Sequence, residues 1–274
     1  MRARIVYIKG HEDSEKQAKQ AFSSFKLYGW EAKAKAGHTK ESIETDLEII
    51  EGSRLHDFKR ENKNRYLTKV ACAHNHIDFW HKVVEEDEPM AFIEHDGVCT
   101  MEWNDDWEFD EYLILNAEWV FQPPNKLALQ QFKDFSWSSF GVCDMPENYP
   151  LLYYKENIWK GSMMAPGTGA YALTPLGAQK LIHAVETYGF DQSDYMINSY
   201  NVKMQYIMPS PVKFNTVNLS TSYGQLHITI LFIQVFKKKV MPLSLLFLSP
   251  NICVKAMVLI LAVQKKNGLF QALK

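Results

Sequence analysis

The chain has little sulfur to build with. Its 274 residues hold four cysteines, Cys72, Cys99, Cys143 and Cys253, scattered and without a Cys-x-x-Cys pair. That is too few for a disulfide framework, and reduced thiols in a cytoplasm are the simplest expectation. Long apolar runs are scarce at the start. Ile5–Ile8 is the only early one, well short of the roughly 7–15 residues a secretory signal core needs, so no such signal is expected. A basic excess is missing: 30 Lys+Arg face 32 Asp+Glu, a formal net charge of -2, which removes the usual argument for a nucleic-acid partner. No phosphate-loop or dinucleotide fingerprint occurs. What is present is 46% hydrophobic, 23% charged and 13% aromatic, enough to bury a core and outside the disordered, collagen-like and coiled-coil classes.

Acid is what residues 225–274 lack. They carry seven lysines and no Asp, Glu or Arg, so the tail is +7 against -9 for residues 1–224. Its longest uncharged stretch, 240–254, has 15 residues and contains Pro242, Pro250 and Asn251. A spanning helix needs about 20 apolar residues, which argues against a membrane span. Three readings remain: a lysine-flanked peripheral membrane contact, a small packed subdomain, or sequence with no selected fold. The last is favoured, because 50 residues without an acid are unusual for a soluble segment. The expected organisation is therefore a domain over 1–224 and an extraneous tail over 225–274, with no functional residue in the tail.

Residues 1–224 alternate strands with helices. Arg4–Ile8 reads as a strand, Ser14-x-x-Gln17 as a capping box, and Ala18, Ala21, Phe22 and Phe25 as one helix face. Gly29 stops that helix, and Trp30–Ala36 is a second strand. Helices are expected over 40–51, with Ile43, Leu47 and Ile50, and over 69–86, with Val70, Ala73, Ile77, Trp80 and Val84 inward. Met90–Ile93, Leu113–Leu115, Ala170–Leu173 and Met204–Ile207 are further strands. Thr174 and Pro175 open a helix that buries Ala178, Leu181, Ile182 and Val185 and stops at Gly189. Residues 116–165 read as long loops around an active or acceptor site. The alternation predicts an α/β sheet flanked by helices.

Ligands of open α/β sheets bind beyond the carboxyl ends of the strands. After Ile93 the chain reads Glu94-His95-Asp96-Gly97. Residues i and i+2 of an extended chain point the same way, so Glu94 and Asp96 can present two carboxylates together. Two hard oxygen ligands suit Mg²⁺ or Mn²⁺, and such an ion can hold a diphosphate. The alternative is an ordinary acidic turn. The surrounding stretch 85–111 has twelve acids and no Lys or Arg, and most of these read as a solvated face. His74, His76, His81 and Cys72 hint at zinc, but a His-x-His pair inside a helix points its rings apart. Trp103, Trp107, Trp119, Trp137 and Trp159 are candidates for stacking on a ligand's rings or for packing.

Ala71-Cys72-Ala73-His74-Asn75-His76-Ile77-Asp78-Phe79-Trp80, followed by Ala91-Phe92-Ile93-Glu94-His95-Asp96, resembles the pattern of glycosyltransferase family 25. There a Cys-x-x-Ser-His-x-x-x-Trp helix precedes an apolar strand ending Glu-Asp-Asp. Gly167-Thr168-Gly169-Ala170-Tyr171-Ala172-Leu173-Thr174-Pro175-x-Gly177-Ala178 is similar to that family's second block. Together with Pro209-Ser210-Pro211, the resemblance covers roughly residues 3–223. It implies a GT-A-like, Rossmann-like nucleotide-sugar-binding domain with a central mixed sheet. It also implies inverting transfer of a hexose, often galactose or glucose, from a UDP-sugar to a saccharide or other hydroxyl acceptor with Mn²⁺ or Mg²⁺. The resemblance further implies glycan or lipopolysaccharide chemistry, expected in the cytoplasm, free or at the inner face of a membrane.

Carried over by residue, Glu94 and Asp96 match the outer acids of the triplet, and His76 and Trp80 match the helix block. Asn75 stands in place of the usual Ser. His95 stands in place of the middle acid, where it could ligate the metal, bind ribose or phosphate, or mark a site that no longer works. The metal candidates are thus Glu94, Asp96 and His95. The donor-binding candidates are Ile8 at the end of the first strand, His76, Gly167 and Thr168. Asp194, ahead of Asp191, is the candidate base, with helix capping as its alternative; the Gly167–Gly169 loop is either a close substrate approach or a simple turn. A catalytically silent nucleotide- or glycan-binding protein is the competing function, and a lipid-recruited surface protein a weaker third.

Overall fold

The computed structural model describes residues 1–43, 63–117, 140–145, 162, 164 and 167–214. All belong to the first of two units into which the chain divides, Met1–Asn218 and Leu219–Lys274. The expected boundary at 224, the basic tail, Leu47, Ile50, Trp119, Trp137 and Trp159 lie outside the described residues.

Strand β1 (Arg2–Tyr7) leads into α1 (Glu12–Leu27) and then β2 (Glu31–Ala36). A short α2 (Lys40–Ile43) and the long α3 (Lys63–Glu86) precede β3 (Met90–Glu94). Then come β4 (Gly97–Cys99), β5 (Tyr112–Ile114), β6 (Gly141–Asp144) and β7 (Ala170–Leu173). Helix α4 (Pro175–Tyr188), the single turn α5 (Ser193–Met196), β8 (Met204–Met208) and β9 (Val212–Phe214) follow.

Seven strands form one mixed sheet in the order β2-β1-β3-β7-β5-β8-β6, and β4 pairs with β9 in a separate ribbon. Strands β1, β2 and β3 are parallel, β7 is antiparallel to β3 and β5, and β8 is parallel to β5. Five strands therefore end on the same edge. After β1 the chain goes to one side for β2 and to the other for β3, which makes the β1/β3 crevice a topological switch point, where open α/β sheets bind ligands.

The alternating side chains of each strand fill two cores. Met90, Phe92, Tyr171, Leu173, Tyr112 and Ile114 pack beneath α3 and α4 with Phe79, Trp80, Val83, Ala178 and Leu181. Ala91, Ile93, Ala170, Ala172, Leu113 and Ile5 pack on the other face against Ala18, Ala21 and Phe25 of α1. Trp80 and Phe79 are fully buried, each contributing roughly 2–3 kcal/mol through the area it removes from water. Trp103 and Trp107 meet edge to face at 5.2 Å and pack on the α1 side. Among the described residues no helix is long and apolar enough to cross a membrane.

Two helix starts differ in kind. Thr174 caps α4 as expected, its hydroxyl accepting from Gly177 N at 3.2 Å, with Pro175 at the first position and Gly189 (φ 76°) at the stop. The expected capping box from Ser14 to Gln17 is not used. The cap of α1 is His11, whose ring accepts from Ser14 N at 3.3 Å, while Ser14 Oγ accepts from Ile8 N at 2.9 Å. Ser14 is spent on holding the β1–α1 turn, so the helix starts one turn earlier. Strands β4, β6 and β9 were not expected: they are as short as β5 and β7 but lack the unbroken apolar run that marks those two.

Candidate active site

Glu94 ends β3 at the switch point. Register sets it beside Val6 of β1, and its N–H donates to Gly169 O at 2.7 Å on the other side. By alternation it follows Met90 and Phe92 onto the face that α3 covers. Its side chain is open to solvent yet surrounded by protein, as the wall of a recess is. Burial first, then the charges of Asp96 and Asp194, pushes the Glu94 carboxyl up to about 8. Cys72 of α3 lies in the same neighbourhood. It too is exposed, and burial together with the fields of Glu94 and Asp194 pushes its thiol up to about 12. Gly169 makes room for this group: a Cβ there would come within 2.5 Å of Phe214 Cζ and 3.3 Å of Glu94 Oε2.

Asp194 comes from α5. Its Oδ1 accepts the Thr168 hydroxyl at 3.0 Å. Since Thr168 spends its one hydroxyl proton there, Ser193 Oγ, 2.9 Å away, must donate to Thr168. The Asp194 carboxyl is raised by burial, with the hydrogen bonds from Thr168 pulling the other way. Asp194 is not the helix cap, which is Gln192. Asp191, 5% exposed, accepts from Gln192 N at 2.7 Å and shapes the turn into α5.

Asp96 and His95 form the turn from β3 to β4. Asp96 is raised by burial, partly offset by His95, and its Oδ1 is buried with no hydrogen-bond partner. His95 is lowered by burial, against the pull of Asp96, and also feels His11. Ile8 lies two residues past the β1 position that pairs with Glu94, so it belongs to the same edge; its carbonyl accepts from His11 N at 3.2 Å. Gly97 is needed because a Cβ would stand 2.5 Å from Ile93 Cγ2.

His76 sits beneath this surface, 3% exposed. Its Nδ1 is 2.9 Å from the Tyr171 hydroxyl, which accepts from Trp80 Nε1 at 3.0 Å and therefore donates to His76. The His76 ring lies 4.2 Å from that of Phe92, and burial pushes its pKa down to about 3, so it is neutral. Asn75, at the departure from the family's Ser, clamps the loop after β2: its Oδ1 accepts from His38 N at 2.6 Å and its Nδ2 donates to His38 O at 3.2 Å. Gly37 is required there, since a Cβ would fall 2.7 Å from Asn75 Oδ1.

The structure thus brings Glu94, Asp96, Asp194, Thr168 and Cys72 to one edge, with Ile8 and His95 beside them. His76 and Asp191 support it from inside. Among the described residues no three His, Cys, Asp or Glu are placed to hold a metal ion unaided. Two carboxylates would suffice where a substrate's phosphates complete the shell. The unpartnered Asp96 Oδ1 and the mutual repulsion of the acids fit such a cation. An open cavity of about 750 Å³, lined by Glu111, Asp144, Lys180, Tyr200 and Lys203 among others, lies at the opposite edge of the sheet, away from these groups. The sequence reading missed Ser193 and Asn116. Asn116 follows the Leu113–Leu115 run and could have been found by the strand-end rule that found Glu94.

A family model described as glycosyltransferase family 25 (LPS biosynthesis protein) matches residues 32–197. No curated protein sequence matches the chain. Among solved structures, the chain is similar to a galactosyltransferase LgtC in complex with donor and acceptor sugar analogues, at 9% identity and TM-score 0.37, over 75% of this chain and 73% of that one. An active-site mutant of LgtC gives 10% identity and TM-score 0.41 over 85% and 96%. Mouse xyloside xylosyltransferase 1 in its apo form gives 10% identity and TM-score 0.34 over 71% and 78%.

Proposed function

The chain belongs to glycosyltransferase family 25, and from that premise we propose that it moves a hexose, galactose or glucose, from a UDP-sugar to a saccharide or other hydroxyl acceptor with inversion. The observation that carries the reading is Glu94: a carboxylate at the switch-point end of β3, crowded by Asp96 and Asp194. A mixed sheet with helices on both faces accords with the GT-A fold the family implies.

Glu94 and Asp96 would hold a divalent cation, Mn²⁺ or Mg²⁺, which when bound neutralises charge on the departing nucleoside diphosphate. The remaining work falls to side chains. Asp194 takes the proton of the acceptor hydroxyl as that oxygen attacks the anomeric carbon from the face opposite the leaving group. Burial raises its pKa from the ordinary carboxylate value, which makes its ionised form a stronger base. Thr168, with Ser193 behind it, fixes the carboxylate's direction. Gly169 keeps side-chain bulk out of the space between Glu94 and Phe214.

The competing reading, a protein that binds a nucleotide-sugar without turning it over, draws on His95, whose imidazole replaces a carboxylate beside Asp96. Incubation with a panel of UDP-sugars, acceptors and Mn²⁺ separates the two. Transfer that is lost in Glu94→Ala supports the enzyme. Stabilisation by UDP with Mn²⁺ but no UDP release leaves the binding protein.

A further inference from the structure

We propose that Asn116 reads the hydroxyl groups of the donor sugar, and so sets which hexose is used; the inference rests on the hexosyltransferase reading above. Asn116 is 0% exposed, and neither its Oδ1 nor its Nδ2 has a hydrogen-bond partner. A buried amide with both ends unpaired is costly, and a Leu of similar shape would avoid the cost. Its position is on the binding edge. Leu115 N donates to Ala170 O at 3.2 Å, so the β5–β7 ladder continues one residue past Ile114 and sets Asn116 across Gly169 from Glu94. Alternation puts it on the face of Tyr112 and Ile114, the same face that carries Glu94 and Asp194.

The order of strands then gives an order of ligand parts. The crevice between β1 and β3 is where the nucleotide belongs, and Glu94 and Asp96 at the end of β3 face the diphosphate. Next inward along this edge come Gly169, just before β7, and Asn116, just after β5, where the sugar follows. An Asn side chain offers an acceptor beside a donor. Two neighbouring ring hydroxyls, one donating to Oδ1 and one accepting from Nδ2, match that pair; at Gly169 the Phe214 ring and Glu94 Oε2 take the space a Cβ would need, 2.5 and 3.3 Å away. Asp96 Oδ1, also buried without a partner, lies toward the Glu94 end of the same track.

Asn116→Leu tests this with three readouts. The ligand-free variant melts at the wild-type temperature or higher, within about 2 °C below at worst, because no native hydrogen bond is lost. UDP with Mn²⁺ binds both proteins equally by calorimetry. With UDP-galactose, UDP-glucose and their ring-deoxy analogues, the wild type discriminates against the analogue lacking a contacted hydroxyl. In the variant, kcat/KM for the preferred donor falls roughly tenfold or more and that discrimination disappears. Three results overturn the proposal: a large fall in melting temperature without ligand, weaker binding of UDP alone (Asn116 then reads the nucleotide), or donor selectivity that survives. Failure of wild-type protein to bind UDP at all would reject the hexosyltransferase reading first, and is seen without the variant.

Discussion

The two edges of the sheet are treated in opposite ways. At the edge where β1, β2, β3, β5 and β8 begin, charges are paired. Arg2 faces Glu31, Glu86 and Glu88 at 3.5, 2.7 and 3.2 Å. Buried Glu111 takes Lys180 on one oxygen and Lys203 N on the other, and Lys203 Nζ reaches Asp110 and Asp144. At the edge where the same strands end, Glu94, Asp96 and Asp194 gather with no Lys or Arg paired to them among the described residues. Asn116 and Asp96 keep polar atoms without partners there. One edge is resolved for stability and the other is left for a ligand to complete, which is where local consistency is expected to break.

The comparison breaks most sharply by activity. Glu94→Ala and Asp96→Ala are expected to lower hexose transfer by roughly 10²–10⁴, the scale of removing an electrostatic contribution from a transition state. Melting temperature should hold or rise, since each substitution removes a repelled carboxyl. Rates of UDP release in Mn²⁺ check this, and a variant as active as the wild type would sink the assignment of that edge.

The other edge should give the mirror result. Glu111→Ala leaves Lys180 and Lys203 N–H without their acceptor and is expected to cost about 1–3 kcal/mol in denaturant unfolding. Transfer per folded molecule should stay within a factor of two or so of wild type. A large loss of activity without loss of stability would mean that the cavity beside Glu111 belongs to the reaction.

Much of this division was readable beforehand. Apolar runs bounded by Pro and Gly marked β3, β7 and β8, and Thr174-Pro175 marked the start of α4 because its cap is local. Glu94 and Asp96 followed from one rule about strand ends. The Thr168–Ser193–Asp194 chain did not follow as a connected group, because it joins residues 25 and 26 positions apart through a single helical turn. The α1 cap failed for a related reason: Ser14 Oγ is taken by Ile8 N, a tertiary choice that the Ser-x-x-Gln spacing cannot reveal. Nothing in composition showed that Asn116 would be fully enclosed.

pH sharpens the contrast further. Glu94 is raised in the fold from 4.5 to about 8, so it holds its proton in the native state where the unfolded chain has released it. Native stability from this group is complete below pH 4.5 and is lost as pH rises through about 8. Glu94→Gln removes the titration. Without metal, the variant should match wild type near pH 4.5, melt progressively higher than it as pH rises from 4.5 to about 8, and keep a constant margin above that, while cation affinity of the wild type rises over the same interval. His76, lowered to about 3, has the opposite sign: its contribution is present above 6.5 and is lost as pH falls toward 3. Melting curves of both proteins from pH 4 to 9 check the two slopes together.

The smallest expected effect probes the paired edge at a solvent-screened point. Arg2 contacts three acids, but it is one-third exposed and Glu31 and Glu88 are about half exposed, so water screens most of the attraction. The cluster still has a job that its energy understates. Arg2 is the cation that joins Glu31, Glu86 and Glu88 across the N-terminal ends of β1, β2 and β3, although Lys33 also reaches Glu31 at 3.6 Å and Lys82 reaches Glu86 at 2.6 Å. Arg2→Ala should therefore lower the melting temperature by only a few degrees at low salt, and the deficit should vanish near 1 M salt, where screening acts within about 3 Å. The acids at the far edge answer to salt differently, because they sit in a recess and carry raised pKa values. A deficit in Arg2→Ala that persists in 1 M salt would show that the Arg2 corner is held by packing of the Arg2 stem and not by charge, and the electrostatic contrast between the edges would then rest on Glu111 and the Lys203 pairs.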